Sequence, residues 1–263
     1  MARQPRPVLP GIALHIVQRG NDRADCFRRD GDYMLYLAHL RELAAELGCE
    51  VHAYCLMTNH VHLLLTPPAA DSCAALMRNL GQRYVQRFNR AHQRTGTLWE
   101  GRFRSFLVES ATHVLACYRY IEQNPMRAGM VRSPSEYLWS SYHANAGLRL
   151  DLLVTPHAEY LALSEDPVKR HLAYREFVEG VLPPEELTSI REAAQNGIPL
   201  GGEAFKARIE IDLGRRIGRA RPGRPRSNSE AEPRVQADEK SGSGPNFYPE
   251  EKSGPDPDSQ MPL

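Results

Sequence analysis

The alternation of apolar and polar residues divides the first part of the chain into short strands and longer helices. Leu14–Gln18 has the two-residue period of a strand, and Asp32–Leu47 then places its apolar residues at helical spacing. Glu50–Leu56 and His60–Thr66 follow as two further strands around a short turn at Met57–Asn59. These three features predict a strand, a helix and an antiparallel hairpin.

The pattern continues with two more helices and one more strand. Arg102–Glu109 alternates as a strand, and Thr112–Asn124 has helical spacing that Pro125 is expected to end. The helix before that strand has an apolar stripe at four-residue steps: Leu76, Leu80, Tyr84 and Phe88. The order β-α-β-β-α-β-α predicts an α+β fold with a central antiparallel sheet, of the ferredoxin-like or RRM-like type.

Beyond this domain the composition changes twice. Helical spacing returns in three stretches between residues 150 and 218, and from Ser227 onward proline, serine, glycine and acidic residues dominate. We therefore predict a folded domain over residues 1–146, a small helical module over 150–218, and a basic then acidic disordered tail over 219–263.

Composition limits the class of protein. Hydrophobic residues make up 41% of the 263 residues, enough for a sizeable core. The longest apolar runs fall far short of the roughly 18 residues that a membrane span needs, and the N-terminus lacks the pattern of a signal peptide. The five cysteines are odd in number and form no CxxC pair, which argues against a disulfide framework. We expect a cytoplasmic protein without a membrane partner.

The net charge of +1 conceals alternating basic and acidic segments. Residues 1–130 carry 16 arginines against 11 acidic residues, and residues 201–226 carry 8 basic against 3 acidic residues. The acidic excess lies in 131–200 and 227–263. Two basic segments rich in arginine, whose planar guanidinium suits bidentate contact with phosphate, are compatible with a nucleic-acid partner.

Candidate chemistry lies on the second strand of the hairpin and on the third helix. His60 and His62 are two residues apart on a strand, so both imidazoles point to one side, as a metal pair requires. The alternative is that both histidines are structural. Tyr120 and Asn124 are four residues apart and can present a phenol and an amide to one small volume, whereas Tyr118 is expected to be a packing residue.

Two motifs in this order resemble a known family. Asn59–Leu64 and Tyr120–Gly129 are similar to the motifs of the HUH single-tyrosine transposases, and most of all to the REP-associated tyrosine transposase branch of the IS200-like superfamily. Further segments agree with that resemblance: Gln18–Asn21 with Arg23, Leu98–Phe103, Leu138–Tyr142 and the stretch from Ile198 to Arg216.

The resemblance implies a mechanism and its residues. It implies that His60 and His62 hold Mg²⁺ or Mn²⁺, with Asn124 in the place of a polar third ligand, and that Tyr120 attacks the scissile phosphate. The implied product is a 5′-phosphotyrosine link with a free 3′-hydroxyl, and no nucleotide cofactor is required. A phenol with a pKa near 10 is only about 0.1% ionised at neutral pH, so its deprotonation needs assistance.

The implied substrate is single-stranded or hairpin DNA, arginines are the expected contacts, and the helical module over 150–218 is expected to bind DNA as well. The second helix carries a basic stripe without acidic residues at helical spacing: Arg83, Arg87, Arg90 and Arg94. Further expected contacts are Arg19, Asn21 and Arg23 in the loop after the first strand, Arg102 and Arg104 on the fourth strand, and Arg224. Arg224 lies in a Gly-Arg-Pro segment similar to an AT-hook, although Pro222 stands where an AT-hook has arginine.

Three hypotheses follow. The first is a metal-dependent transposase and endonuclease that cleaves and rejoins single-stranded DNA at REP-like hairpins. The second is a regulator of the same fold that binds hairpin DNA without cleaving it. The third is a zinc hydrolase with two histidines and a carboxylate, but no Asp or Glu follows at metalloprotease spacing. The sequence leaves a monomer and a homodimer equally open.

Overall fold

The computed structural model describes residues 6–217, without the side chains of residues 111 and 112. Arg224 and the predicted tail lie outside the described residues. The strands are β1 (Leu14–Arg19), β2 (Glu50–Met57), β3 (His60–Thr66) and β4 (Arg104–Leu107). The helices are α1 (Asp30–Glu46), α2 (Ser72–Ala91), α3 (Ser110–Glu122), α4 (Asn124–Arg127), α5 (Tyr142–Asn145), α6 (Ala158–Leu161), α7 (Pro167–Glu179), α8 (Pro184–Asn196) and α9 (Glu203–Asp212).

The four strands form one sheet in the order β2-β3-β1-β4, and every neighbouring pair is antiparallel. The order of elements through α3 is the predicted β-α-β-β-α-β-α, so the α+β fold with a central antiparallel sheet is confirmed. The hairpin turn is shorter than predicted, because Met57 still pairs with His60 and only Thr58 and Asn59 lie between the strands.

Three element boundaries differ from the prediction, so three candidate residues lie in other elements than expected. Arg19 is the last residue of β1, not part of a loop, because it pairs with His60 of β3. Arg102 lies before β4, which pairs with β1 only from Arg104 onward. Arg94 lies beyond α2, which ends at Ala91, and the chain then turns through a left-handed backbone conformation at Gln93 (φ 49°).

The third helix also ends earlier than predicted. α3 stops at Glu122, and Asn124 begins the separate short helix α4 with Pro125 in its first turn. Proline disfavours helical conformation in the residue before it, yet its fixed φ suits a helix start. Tyr120 and Asn124 therefore lie on successive helices, not on one face of a single helix.

The sheet separates two apolar cores. Its first face, with Ile16 and Leu63, packs against α1 and α2, and the predicted stripe of α2 is buried there. The opposite face, with Leu64 and Phe106, is covered by α3. Alternation along β3 places His60 and His62 on the same side as Leu64, beneath α3.

The helices α6, α7 and α8 share the second core, whereas Ile209 of α9 is buried in the first. Tyr118 of α3, Tyr174 of α7 and Ile190 of α8 are fully buried in one cluster, and the role of Tyr118 as a packing residue is confirmed. None of the helices between residues 6 and 217 has the length and apolar content that a membrane crossing needs. All five cysteines are free and buried, as expected for a chain without a disulfide framework.

A buried carboxyl group joins α3 to the segments that follow it. Glu122 is fully buried and accepts hydrogen bonds from Ser141 Oγ (2.6 Å), Asn145 Nδ2 (2.8 Å) and Tyr174 Oη (2.6 Å). Burial raises the pKa of the Glu122 carboxyl to about 7, against the effect of these hydrogen bonds. The three donors come from α5, the residue before it and α7, so this cluster fixes the end of α3 just after Tyr120.

We expect Tyr174→Phe to lower the free energy of unfolding by about 1–3 kcal/mol, because it leaves a buried carboxyl oxygen without its donor. Urea denaturation measures this difference. Tyr36→Phe is the matched control, since the Tyr36 hydroxyl is also buried but has no hydrogen-bond partner in residues 6–217. Equal stability of the Tyr174→Phe variant and the unchanged chain would contradict the structural role of this cluster.

Candidate active site

Four of the predicted site residues meet beneath α3. The ring centroids of His60 and His62 are 4.9 Å apart, and Asn124 Nδ2 lies 2.9 Å from His62 Nε2. The Tyr120 ring stands edge-on to the His62 ring at 5.7 Å. The predicted constellation of two histidines, a phenol and an amide is therefore present in one place.

Backbone pairing sets the position of the two histidines. His60 opens β3 directly after the turn at Thr58 and Asn59, and the Asn59 carbonyl accepts a hydrogen bond from Gly20 N (2.8 Å) at the end of β1. Val17 pairs with His62 in the centre of the sheet. The loop and the strand thus hold both imidazoles on a rigid element.

Hydrogen bonds define which nitrogen of each imidazole carries the proton. His60 Nδ1 lies 2.7 Å from Asn59 Oδ1, and because an amide oxygen only accepts, the His60 proton is on Nδ1. Asn124 Nδ2 only donates, so His62 Nε2 accepts and the His62 proton is also on Nδ1. His62 therefore has an unprotonated Nε2, the form in which histidine binds a metal.

Burial keeps both rings neutral. It lowers the pKa of His60 to about 4, with a further contribution from the positive charge of Arg19. Burial lowers the pKa of His62 well below its usual value, and His60 and His15 add to this effect. Neutral imidazoles at physiological pH need to lose no proton before they coordinate a cation.

The donor set fits a divalent metal ion. Two imidazole nitrogens are borderline ligands and the amide oxygen is a hard one, a set that suits Mn²⁺ better than Mg²⁺, which prefers oxygen throughout. In the part of the chain that the structure describes, no group of three or more His, Cys, Asp or Glu side chains could hold a metal. Within the described residues, His60 and His62 thus lack the carboxylate that the zinc-hydrolase hypothesis requires.

Arg127 is a site residue to which the sequence analysis gave no role. Its guanidinium carbon lies 4.4 Å from the centroid of the Tyr120 ring, and its Nη2 donates to the Tyr120 backbone carbonyl. Arg127 also contributes to the lowered pKa of His62, which places its charge near the metal ligands. The residue belongs to the Tyr120–Gly129 motif, but only the turn between α3 and α4 brings it back over the ring.

His15 is a second residue that the sequence analysis did not find. It is fully buried on β1, and its Nε2 lies 3.0 Å from His62 Nδ1. Burial lowers the pKa of His15 to about 3. The alternation along β1 indicates which side of the sheet His15 faces. It does not indicate that His15 lies beside His62, which depends on the register between β1 and β3.

The arginine stripe of α2 is only partly available for a ligand. Arg83 faces Glu42 and Glu46 of α1 at 3.7 and 3.8 Å, so Arg83 has acidic partners although none lies at helical spacing within α2. Helical spacing considers one helix only, whereas these partners come from its neighbour. Arg94 donates to Asn89 Oδ1 and to the Thr97 carbonyl. Arg87 and Arg90 are exposed, and no ion pair is seen for them among residues 6–217.

The remaining predicted contacts lie around the end of β1. Arg19 and Asn21 contact the segment before β4 through their backbones, since Glu100 N donates to the Arg19 carbonyl and Asn21 N donates to the Leu98 carbonyl. These bonds hold the end of β1, with Arg19 and Asn21, beside the segment that leads to Arg102. All of the following are exposed: Arg19, Asn21, Arg23, Arg102 and Arg104.

An open pocket of about 560 Å³ adjoins the turn before His60. Thr58, two arginines and aromatic rings line it, together with acidic side chains of the same loop. The ring of Tyr33 is stacked between Phe27 (4.5 Å) and Trp139 (4.6 Å). Phe27 and Tyr33 are buried, so these rings pack against each other and not against a ligand in the pocket.

Comparison with known proteins identifies the family. Residues 9–124 match the family model described as transposase IS200 like. These residues form an IS200-like transposase domain. The matched region contains β1 to α3 and includes Tyr120, both histidines and Asn124.

Other comparisons give more distant similarities. A structure of a REP-associated tyrosine transposase bound to a REP hairpin is 18% identical, with a TM-score of 0.46, over 60% of this chain and 93% of that one. A candidate transposase from Deinococcus radiodurans R1 is 21% identical, with a TM-score of 0.32, over 46% of this chain and 97% of that one. No curated protein gives a significant match.

Proposed function

We propose that this transposase domain is a metal-dependent tyrosine endonuclease and strand transferase of the REP-associated branch, and that it acts on single-stranded DNA at REP-like hairpins. The observation that carries this proposal is the convergence of Tyr120, His62 and Asn124 beneath α3. The sequence motifs around Asn59 and Tyr120 favour this branch of the family.

Tyr120 is the proposed nucleophile. Its phenolic oxygen attacks the scissile phosphorus and forms a tyrosine–phosphate ester, while the bond between phosphorus and the 3′-oxygen breaks. The phenolic proton is lost and the leaving 3′-oxygen gains one, so the product is a 5′-phosphotyrosine link and a free 3′-hydroxyl. The reverse attack by a 3′-hydroxyl rejoins the strand. When bound at His60, His62 and Asn124, Mg²⁺ or Mn²⁺ supplies Lewis-acid polarisation of the phosphate.

Arg127 is the proposed positioning residue for the Tyr120 ring. Its guanidinium carbon lies 4.4 Å from the ring centroid, which is the distance of a cation–π contact. The guanidinium also donates to the Tyr120 backbone carbonyl, so one side chain holds both the ring and the backbone of the proposed nucleophile.

Hairpin DNA is proposed to contact the exposed arginines of α2 and of the β1 end. We expect Arg87→Ala to weaken hairpin binding several-fold and to reduce the slope of log K against log salt by about 0.7–0.9, the effect of one lost phosphate contact. Fluorescence anisotropy at several salt concentrations measures both quantities.

Arg83→Ala is the matched control for Arg87→Ala, since it removes the same charge from the same helix. Arg83 already faces two glutamates, so a smaller change in affinity and slope is expected. Equal effects of the two substitutions would contradict a specific contact at Arg87 and would indicate a general electrostatic effect.

The test of the proposed function is a denaturing-gel search for a covalent protein–DNA adduct. Labelled single-stranded hairpins are incubated with the full chain in Mn²⁺, in Mg²⁺ and in chelator. An adduct that needs the metal supports the proposal. Tight hairpin binding without an adduct in either metal would favour the regulator that binds without cleaving. The division into domain, module and tail, the oligomeric state and a cytoplasmic location stay predictions.

A further inference from the structure

His15 is a buried polar residue that the proposed reaction does not use. Its side chain is fully buried between β3 and α3, with the edges of the Phe106 and Tyr120 rings at 4.8 and 5.8 Å between centroids. Its Nε2 lies 3.0 Å from His62 Nδ1. Its Nδ1 is buried and has no hydrogen-bond partner in the part of the chain that the structure describes.

Asn124, His62 and His15 form a series of hydrogen bonds, and the amide of Asn124 sets the direction of each. His62 carries its proton on Nδ1, because the amide nitrogen of Asn124 donates to its Nε2. The His62 Nδ1–H then donates to His15 Nε2, and His15 in turn carries its own proton on the unpartnered Nδ1. His15 is thus the acceptor that holds the His62 proton away from the side facing His60 and Asn124.

We propose that His15 is a positioning residue that fixes the ring and the tautomer of His62 for binding a divalent cation. This inference rests on the proposed metal dependence. The second ring nitrogen of a ligating histidine commonly donates a hydrogen bond to a carboxylate, a backbone carbonyl or water, and such a partner orients the ring. Here a neutral imidazole on the neighbouring strand takes that place.

A packing role alone does not explain His15. Its neighbours are aromatic rings, and leucine or methionine would fill such a space without burying polar atoms. An unpartnered buried nitrogen costs about 1–3 kcal/mol relative to a satisfied one. The chain accepts this cost at a position from which an imidazole nitrogen reaches His62 Nδ1.

The test compares two substitutions of His15 in the full chain without DNA. His15→Leu removes the acceptor, whereas the side-chain oxygen of His15→Gln can still accept from His62. Mn²⁺ binding is measured by electron paramagnetic resonance, and the protonated nitrogen of His62 is identified by long-range ¹H–¹⁵N NMR. We expect a 10- to 100-fold weaker Mn²⁺ affinity for His15→Leu and an affinity within about three-fold of the unchanged chain for His15→Gln.

Each outcome separates this inference from the proposed function. In the unchanged chain without metal, NMR is expected to show the His62 proton on Nδ1, and a proton on Nε2 would overturn the inference without any variant. Equal Mn²⁺ affinity of His15→Leu and the unchanged chain would also overturn it alone. No Mn²⁺ binding by the unchanged chain would overturn the proposed metal dependence and the inference with it. His15→Met replaces the leucine variant if circular dichroism shows that the latter does not fold.

Discussion

Replacing Tyr120 with phenylalanine is expected to abolish the covalent protein–DNA adduct, with a loss of about 10³-fold or more in its rate of formation. The substitution removes only the attacking oxygen. The ring that Arg127 and His62 contact remains, so hairpin affinity is expected to stay within about two-fold of that of the unchanged chain. A denaturing gel measures the adduct and anisotropy measures the affinity.

The position of the label makes this experiment specific. A 5′-phosphotyrosine link retains the DNA downstream of the cleaved bond, so a label at the 3′ end must migrate with the protein and a label at the 5′ end must be released. Tyr118→Phe is the matched control, two residues away on α3, because Tyr118 packs against Tyr160 and Tyr174 in the second core. An adduct formed by Tyr120→Phe would remove Tyr120 from the mechanism.

The sequence was sufficient for the features that depend on local periodicity. The two-residue period of β3 places His60 and His62 on one side, and helical spacing gives Tyr118 and Tyr120 different neighbours, Tyr160 and Tyr174 for the first and His62 for the second. Both follow from backbone geometry within one element. For the same reason the antiparallel hairpin of β2 and β3 could be predicted before any contact was known.

Features that depend on contacts between elements could not be predicted. Arg83 lies beside glutamates of α1, which the spacing within α2 does not reveal. His15 lies next to His62 only because of the register of β1 with β3. Asn124 reached His62 by a break between α3 and α4, not by helical spacing. In each case the contacting residue is distant in sequence or is brought close by a turn. Periodicity within a single element contains no information about such contacts.

Replacing His62 with alanine is expected to separate cleavage from binding. The substitution removes one proposed ligand and the contact to Asn124, so Mn²⁺ affinity should fall by at least about 100-fold, the upper end of what the loss of an outer partner costs. Adduct formation should be lost at low Mn²⁺ concentration, while hairpin binding through the exposed Arg87 and Arg90 should persist because α2 packs on the face of the sheet opposite the histidines.

Two readouts other than cleavage test this expectation. A ligand that binds only the folded state raises its melting temperature, so Mn²⁺ should raise the Tm of the unchanged chain and leave that of His62→Ala nearly constant. His113→Ala is the matched control, since it removes another histidine of α3, one that lies 3.7 Å from Glu109. It should retain both the Mn²⁺-dependent rise in Tm and the adduct. A His62→Ala chain that keeps the full rise would show that the metal binds elsewhere, and the histidine pair would then be structural, the alternative that spacing alone left open.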